Sequence, residues 1–280
     1  MVAVQRPERA TGSGFDWRMD GSAKLSDPDV ALTTLLAELE RRGYDFTPPT
    51  PATHRRVIAR RATARTGDLR DVLGWSLPFQ TADAPVFLIQ ALRAADLLAE
   101  LGDGLARSRV RVARLKGRLF LHSAFPTVEK DSVFLGPDSY RFADFILREL
   151  DASDGGRIVD VGGGAGVGAL TAALAAPGAD LTMTDINPMA LRLARINAAH
   201  AGAALSMLRT SGLDGVAPGA SVVLANPPYM ADSGQSYRDG GRPARRPAVG
   251  RLGEGRAGGA GAGRAAAALH RQRHPGRRPR

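Results

Sequence analysis

Two short stretches hold the residues whose types and spacing point to chemistry: Asp160-Val-Gly-Gly-Gly-Ala-Gly166 and Asn226-Pro-Pro-Tyr229, each closing an apolar run, RIVDV and SVVLA. Two consecutive prolines cannot donate to a sheet ladder, so a strand ending before them must stop and turn its acceptors elsewhere. There an asparagine side-chain oxygen and a proline carbonyl make a pair of hydrogen-bond acceptors. An NH2 group donating both protons is the natural complement of such a pair. The glycines, for their part, let the chain turn sharply and approach a ligand beside the positive end of a helix expected over residues 167–176.

Taken alone, Gly164-Ala-Gly166-Val-Gly-Ala169 also satisfies the loose dinucleotide fingerprint. Nicotinamide dinucleotide and S-adenosylmethionine are therefore both in contention at this point. Asp185 ends the run LTMTD, 19 residues after Gly166, where a carboxylate suits the ribose hydroxyls of either cofactor. Its alternative role is an N-cap for the helix that starts near Pro188. The NPPY end favours the second cofactor, because a hydride transfer has no use for an NH2 cradle.

These residues need a scaffold that puts strand ends side by side. RIVDV, ADLTMTD, ALSMLRTSG and SVVLANPPY read as four apolar strands alternating with helices, the pattern of a parallel sheet with right-handed crossovers. The fold class expected for residues 126–240 is doubly wound, Rossmann-like α/β, incomplete at its C-terminal side. Residues 26–125 are expected as a helical, winged-helix-like domain. In it DVALTTLLAELERRG forms a helix capped by Asp27 or Asp29 and stopped at Gly43, and the basic HRRVIARRATARTG forms a second. LRDVLGWSLPF contributes a helical turn, VFLIQALRAADLLAELG a long helix, and RVRVARLKGRLFLHSAF a hairpin turning at Lys116-Gly117. A further helix follows FLGPDSYRF, capped by Asp138 or Ser139.

Composition bounds the rest. With no cysteine among 280 residues, disulfides, thiolate zinc sites and cysteine nucleophiles are excluded, and the five scattered histidines lack metal-ligand spacing, so no metal is expected. No membrane segment and no signal peptide are expected; residues 1–25 read as a disordered leader and the location as cytoplasmic. The net charge of +10 lies in the last 40 residues, which hold 11 Arg against one Glu; residues 1–240 carry 27 basic and 27 acidic side chains. This tail, 241–280, has no helical or strand periodicity and reads as disordered. It is either a basic arm for phosphates or the product of a reading-frame shift near residues 240–245 in a GC-rich gene.

In this order and spacing DVGGGAG, TDINP and NPPY resemble the class I S-adenosylmethionine-dependent methyltransferases, within the group called methyltransferase small domain, over about residues 130–240. Members with NPPY include release-factor glutamine methyltransferases and adenine exocyclic-amine methyltransferases. FLGPDSYRF is similar to the Pro-Asp-Thr element that borders the cofactor in these enzymes. The resemblance implies that Asp160, Gly162, Gly164 and Gly166 surround the methionine and ribose parts of S-adenosylmethionine, and that Asp185, with Ile186 beside it, holds the ribose diol. It implies that Asn226 and Pro227 grip the target NH2, that Pro228 fixes the loop and that Tyr229 stacks on a planar substrate. Ser211-Gly212 stands where the family often has an acidic residue for adenine, which leaves Asp214 or backbone groups to serve. The function so implied is N-methylation of a macromolecule, either a nucleobase in RNA or DNA or a glutamine in a protein. A truncated, inactive product that at most binds cofactor, and a nicotinamide-dependent oxidoreductase, are the other readings.

Overall fold

The computed structural model describes residues 26–61, 63, 68–226 and the backbone of 268–271. The first part of the chain runs α1 (Asp27–Arg41), α2 (Pro51–Ile58), α3 (Leu69–Leu73), β1 (Phe79–Gln80), α4 (Val86–Ala94), β2 (Leu98–Gly102), β3 (Leu105–Ser108), β4 (Val110–Leu115) and β5 (Arg118–Ser123). The second runs α5 (Pro137–Glu149), β6 (Arg157–Val161), α6 (Val167–Ala175), β7 (Asp180–Asp185), α7 (Pro188–His200), β8 (Ser206–Arg209), β9 (Ala220–Ala225) and β10 (Ala268–Arg271). Among the described residues no helix is long and apolar enough to cross a membrane.

The strands of the second part form one sheet in the order β10-β9-β6-β7-β8, with β9, β6, β7 and β8 mutually parallel. The chain moves outward from β6 through β7 to β8 and then returns to β6's other side as β9. That reversal puts the switch point of a doubly wound Rossmann-like sheet between β6 and β9, where such folds leave a crevice at the carboxyl ends of the strands. α6 and α7 pack on the sheet, and α5 packs on α6.

Four expectations need correction. The helix expected through Gly102 ends at Ala94: Asp96 takes a left-handed φ of 58°, and Leu97 N–H reaches back to the Leu92 carbonyl at 2.8 Å, a stop that frees LAELG to pair with β3. The helices-then-hairpin arrangement is therefore made by β2 and β3, joined to β1 in a three-stranded sheet, while the Lys116-Gly117 hairpin is a separate pair, β4 and β5. No helix lies between β8 and β9; Gly212, Gly215, Pro218 and Gly219 break residues 210–219 into turns. Finally, the tail read as free of strands contributes β10, paired antiparallel to β9 from Ala268 opposite Ala225 to Arg271 opposite Val222. An open sheet edge offers backbone donors and acceptors whatever the side-chain periodicity of the segment that joins it.

The helix caps also differ. Ser26 precedes α1, and Asp29 instead makes a partly buried ion pair with Arg192 of α7 at 2.7 Å. Gly136 precedes α5, and its N–H donates to Ser139 Oγ at 3.3 Å.

The two parts of the chain share one apolar cluster, from Leu32 through Leu121 to Leu224, with α1 and β5 both packed on α7. Asn197, in the last turn of α7 and 0% exposed, joins them with hydrogen bonds. Its Oδ1 accepts from Leu121 N–H at 2.8 Å, and its Nδ2 donates to the Leu121 and Ala165 carbonyls at 3.1 and 3.0 Å. One buried amide thus ties strand β5 to the glycine turn after β6.

Candidate active site

β6 pairs with β7 so that Val161 faces Thr184, and with β9 so that Val161 faces Ala225. One residue further along, Gly162, Asp185 and Asn226 fall in a single row across the carboxyl edge of the sheet. The row is set by backbone register alone. Neighbouring parallel strands lie about 4.8 Å apart, so the three positions fit within about 10 Å.

The glycine turn is built with its inner face packed and its outer face open. Gly162, Gly164 and Gly166 have φ of 65°, 57° and 81°, a region where a side chain would be strained. A Cβ added to Gly162 or Gly164 would meet nothing within 4 Å, so the turn presents bare backbone to a ligand. On the inner face, Gly163 and Gly168 have no room. A Cβ on Gly168 would stand 2.6 Å from both carboxylate oxygens of Asp160, and one on Gly163 2.7 Å from Asp160 Oδ2 and from Met183 Cγ. Neither glycine was singled out from sequence; the only signal was an excess of glycine over what the fingerprint needs.

Asp160 sits differently from the role implied by resemblance. It is 1% exposed, and Oδ2 accepts from Ala169 N–H at 2.9 Å, so it caps the first turn of α6 from below. Burial, opposed by the Ala169 N–H and helped by the nearby Asp185, raises its pKa to about 7.

Asp185 stands at the crevice. Its Oδ2 accepts from Gly164 N–H at 3.0 Å and its Oδ1 from Asn187 N–H at 2.9 Å, so the carboxylate clamps the glycine turn to the start of α7. Each oxygen keeps a second lone pair for a ligand. Burial raises its pKa, opposed by the N–H groups of Asn187, Gly164 and Ile186. The N-cap of α7 is Asn187, whose Oδ1 accepts from Met189 N–H at 2.9 Å, so the capping role considered for Asp185 belongs to its neighbour. Asn187 Nδ2 also donates to the Asp131 carbonyl at 2.9 Å, which draws the segment before FLGPDSYRF to the same edge.

Past β8 the turn is held by Thr184, whose hydroxyl donates to the Gly212 carbonyl at 2.8 Å. Asn226 follows β9 directly and is half-buried. Pro227, Pro228 and Tyr229 lie outside the described residues.

Residues 129–240 match the family model described as methyltransferase small domain. Over that segment the chain is similar to methyltransferase small domains. The match favours S-adenosylmethionine over nicotinamide dinucleotide as the nucleoside cofactor. A release factor glutamine methyltransferase of Deinococcus radiodurans is 31% identical over 146 residues, which are 51% of this chain and 52% of the relative. A ribosomal RNA small subunit methyltransferase C of Hahella chejuensis is 35% identical over 95 residues, 34% of this chain and 28% of that one. Among solved structures, the Thermus thermophilus 16S rRNA N2 G1207 methyltransferase in complex with AdoMet and guanosine aligns at 14% identity and a TM-score of 0.35, over 57% of this chain and 50% of that one. The chain spans about half the length of the release factor methyltransferases it matches, 52% and 55% for two of them. The matched segment contains the parallel strands, the glycine turn and the row of strand ends described above.

Proposed function

We propose that this chain is an S-adenosylmethionine-dependent N-methyltransferase acting on a planar NH2 group of a macromolecule, a nucleobase or a glutamine side chain. The observation that carries this reading is the row Asn226, Gly162, Asp185 at the switch point of the sheet. The open outer face of Gly162 and Gly164 and the clamped carboxylate of Asp185 suit a nucleoside with a ribose diol. When bound, the cofactor supplies a methyl group already activated by the adjacent sulfonium.

What the chain must add is position and charge stabilisation. An amide or arylamine nitrogen is a poor nucleophile because its lone pair is spread into the π system. In this reading the side-chain oxygen of Asn226 and the carbonyl of Pro227 accept the two N–H bonds. They favour pyramidal nitrogen and stabilise the positive charge that develops there. Holding the nitrogen within about 3 to 3.5 Å of its target is worth roughly 7 to 11 kcal/mol through effective concentration. Tyr229 stacks on the flat group and Pro228 stiffens the loop. Asp160 serves as a positioning residue beneath the glycine turn.

Two measurements test this. S-adenosylmethionine should raise the midpoint of thermal unfolding, in a single cooperative transition, for the wild type and for Asn226→Ala alike. With tritiated cofactor and cell extract, the wild type should label macromolecules and the variant should not. Wild-type turnover by Asn226→Ala would remove the asparagine from the chemistry, and a chain with no cooperative transition at all would return the truncated, inactive reading.

A further inference from the structure

A cavity of about 440 Å³ lies between α2, the segment after α3, β3 and the start of the 125–136 connection. Its walls bring Arg55, Arg61 and Arg107 together with Pro78, Phe125 and Pro126. Of the three guanidinium groups, Arg61 is paired with Asp71. Among the described residues neither Arg55 nor Arg107 has a carboxylate partner, and Arg107 Nε is buried without any acceptor. A buried N–H left unpaired is destabilising, a deficit that an anion hydrogen-bonded to it would remove.

The floor is fixed in place. The Phe125 ring stacks on His54 with centroids 4.1 Å apart, and its N–H donates to Ser76 Oγ at 3.0 Å. Two guanidinium groups without a carboxylate partner among the described residues share the cavity with the Phe125 ring, which His54 and Arg111 hold in place, and with two prolines, joining positive charge to apolar surface. A phosphodiester strand carries that combination in every unit, a charge and a flat base. An acidic peptide would meet the charges and leave the floor uncovered. The cavity lies near the site along the chain: Asp131 is five positions after Pro126, and its carbonyl is held by Asn187 beside Asp185. An extended chain of that length spans at most about 18 Å.

We propose that this cavity is a docking site for a nucleic-acid strand, seating a phosphate on Arg55 and Arg107 and a base against Phe125 and the prolines. Its meaning as a substrate dock rests on the methyltransferase reading; the binding itself does not.

The test is photocrosslinking of the full chain to a single-stranded RNA of about twelve nucleotides carrying 4-thiouridine, followed by trypsin and mass spectrometry. A DNA strand of the same base order carrying 4-thiothymidine separates the two kinds of nucleic acid. The expected product is a crosslink on the peptide Leu119–Lys130, which contains Phe125. Arg55→Gln with Arg107→Gln should reduce it about tenfold while leaving crosslinks to the arginine-rich tail unchanged, which makes the tail an internal control. If the double variant unfolds, Arg55→Gln alone, at an exposed helix position, should still weaken the crosslink severalfold. Unlabelled RNA should compete, and polyglutamate of equal charge should not. Crosslinks confined to the tail, a crosslink indifferent to both variants, or equal competition by polyglutamate would each overturn the proposal, the last in favour of an acidic protein. A failure of the methyltransferase reading shows elsewhere, as loss of the cofactor-induced thermal shift.

Discussion

Asp160 and its two close glycines form one packed unit, and its pH behaviour has a definite sign. Burial holds the proton on this carboxyl up to about pH 7, whereas the unfolded chain releases it near its ordinary 3.8. Its contribution to stability is thus full below 3.8 and is lost as pH rises through about 7. Asp160→Asn keeps an oxygen for Ala169 N–H and removes the titration. Urea unfolding from pH 4 to 8 should show the wild type losing stability relative to this variant as pH rises; parallel curves would mean that Asp160 is charged in the fold throughout. Gly168→Ala puts a methyl 2.6 Å from that carboxylate. The expected cost is about 1 to 3 kcal/mol in urea unfolding, because a buried side chain bonded to a helix turn cannot step aside. His122 runs the other way on pH. It is 0% exposed, neither ring nitrogen has a partner among the described residues, and burial, with Arg111 and His54 nearby, holds its pKa well below 6.5. The unfolded chain then binds the proton first, so stability falls as pH drops below 6.5.

α7 does more than cover the sheet. Asn187 at its start holds the segment before α5, and Asn197 in its last turn holds β5 and the glycine turn. Replacing Asn197 by leucine fills the space but leaves the Leu121 N–H and two carbonyls without partners. A loss of about 2 to 4 kcal/mol in urea unfolding is expected, with weaker cofactor-induced stabilisation, since the glycine turn loses its tether at Ala165. If stability drops and the cofactor-induced shift is unchanged, the tether does not shape the turn. The β4–β5 hairpin shows local sequence setting an element: Lys116 and Gly117 have φ of 49° and 78°, the pair a two-residue turn of type I′ requires. α4 shows the opposite. LLAELG keeps helical spacing, yet pairing with β3 makes it a strand.

As a whole, the shared core and the pairs Arg192–Asp29 and Lys116–Asp144 bind the first part of the chain to the second. We propose that residues 26–125 and 126–240 unfold as one unit. Trp75 packs against the cluster in the first part, far along the chain from the cofactor edge. Its fluorescence should follow the same thermal transition as far-ultraviolet circular dichroism, and both should move together when S-adenosylmethionine is added. Two separated transitions, with only one responding to cofactor, would show independent units.

By itself the sequence determined the strand-and-turn chemistry: the glycines after RIVDV, Asp185 after LTMTD and the asparagine before two prolines are local signals, because turns and strand ends depend on the φ each residue type tolerates. It also determined the hairpin turn at Lys116-Gly117 and the excess of positive charge beyond residue 241. Only the tertiary structure decided that Asp160 caps α6 rather than facing the crevice, that Asn197 joins the two parts, and that Arg55, Arg107 and Phe125 share a cavity. Those depend on which distant backbone groups are left wanting a partner once the elements pack. Pairings of that kind, 76 residues apart between Leu121 and Asn197, leave no period or motif along the chain.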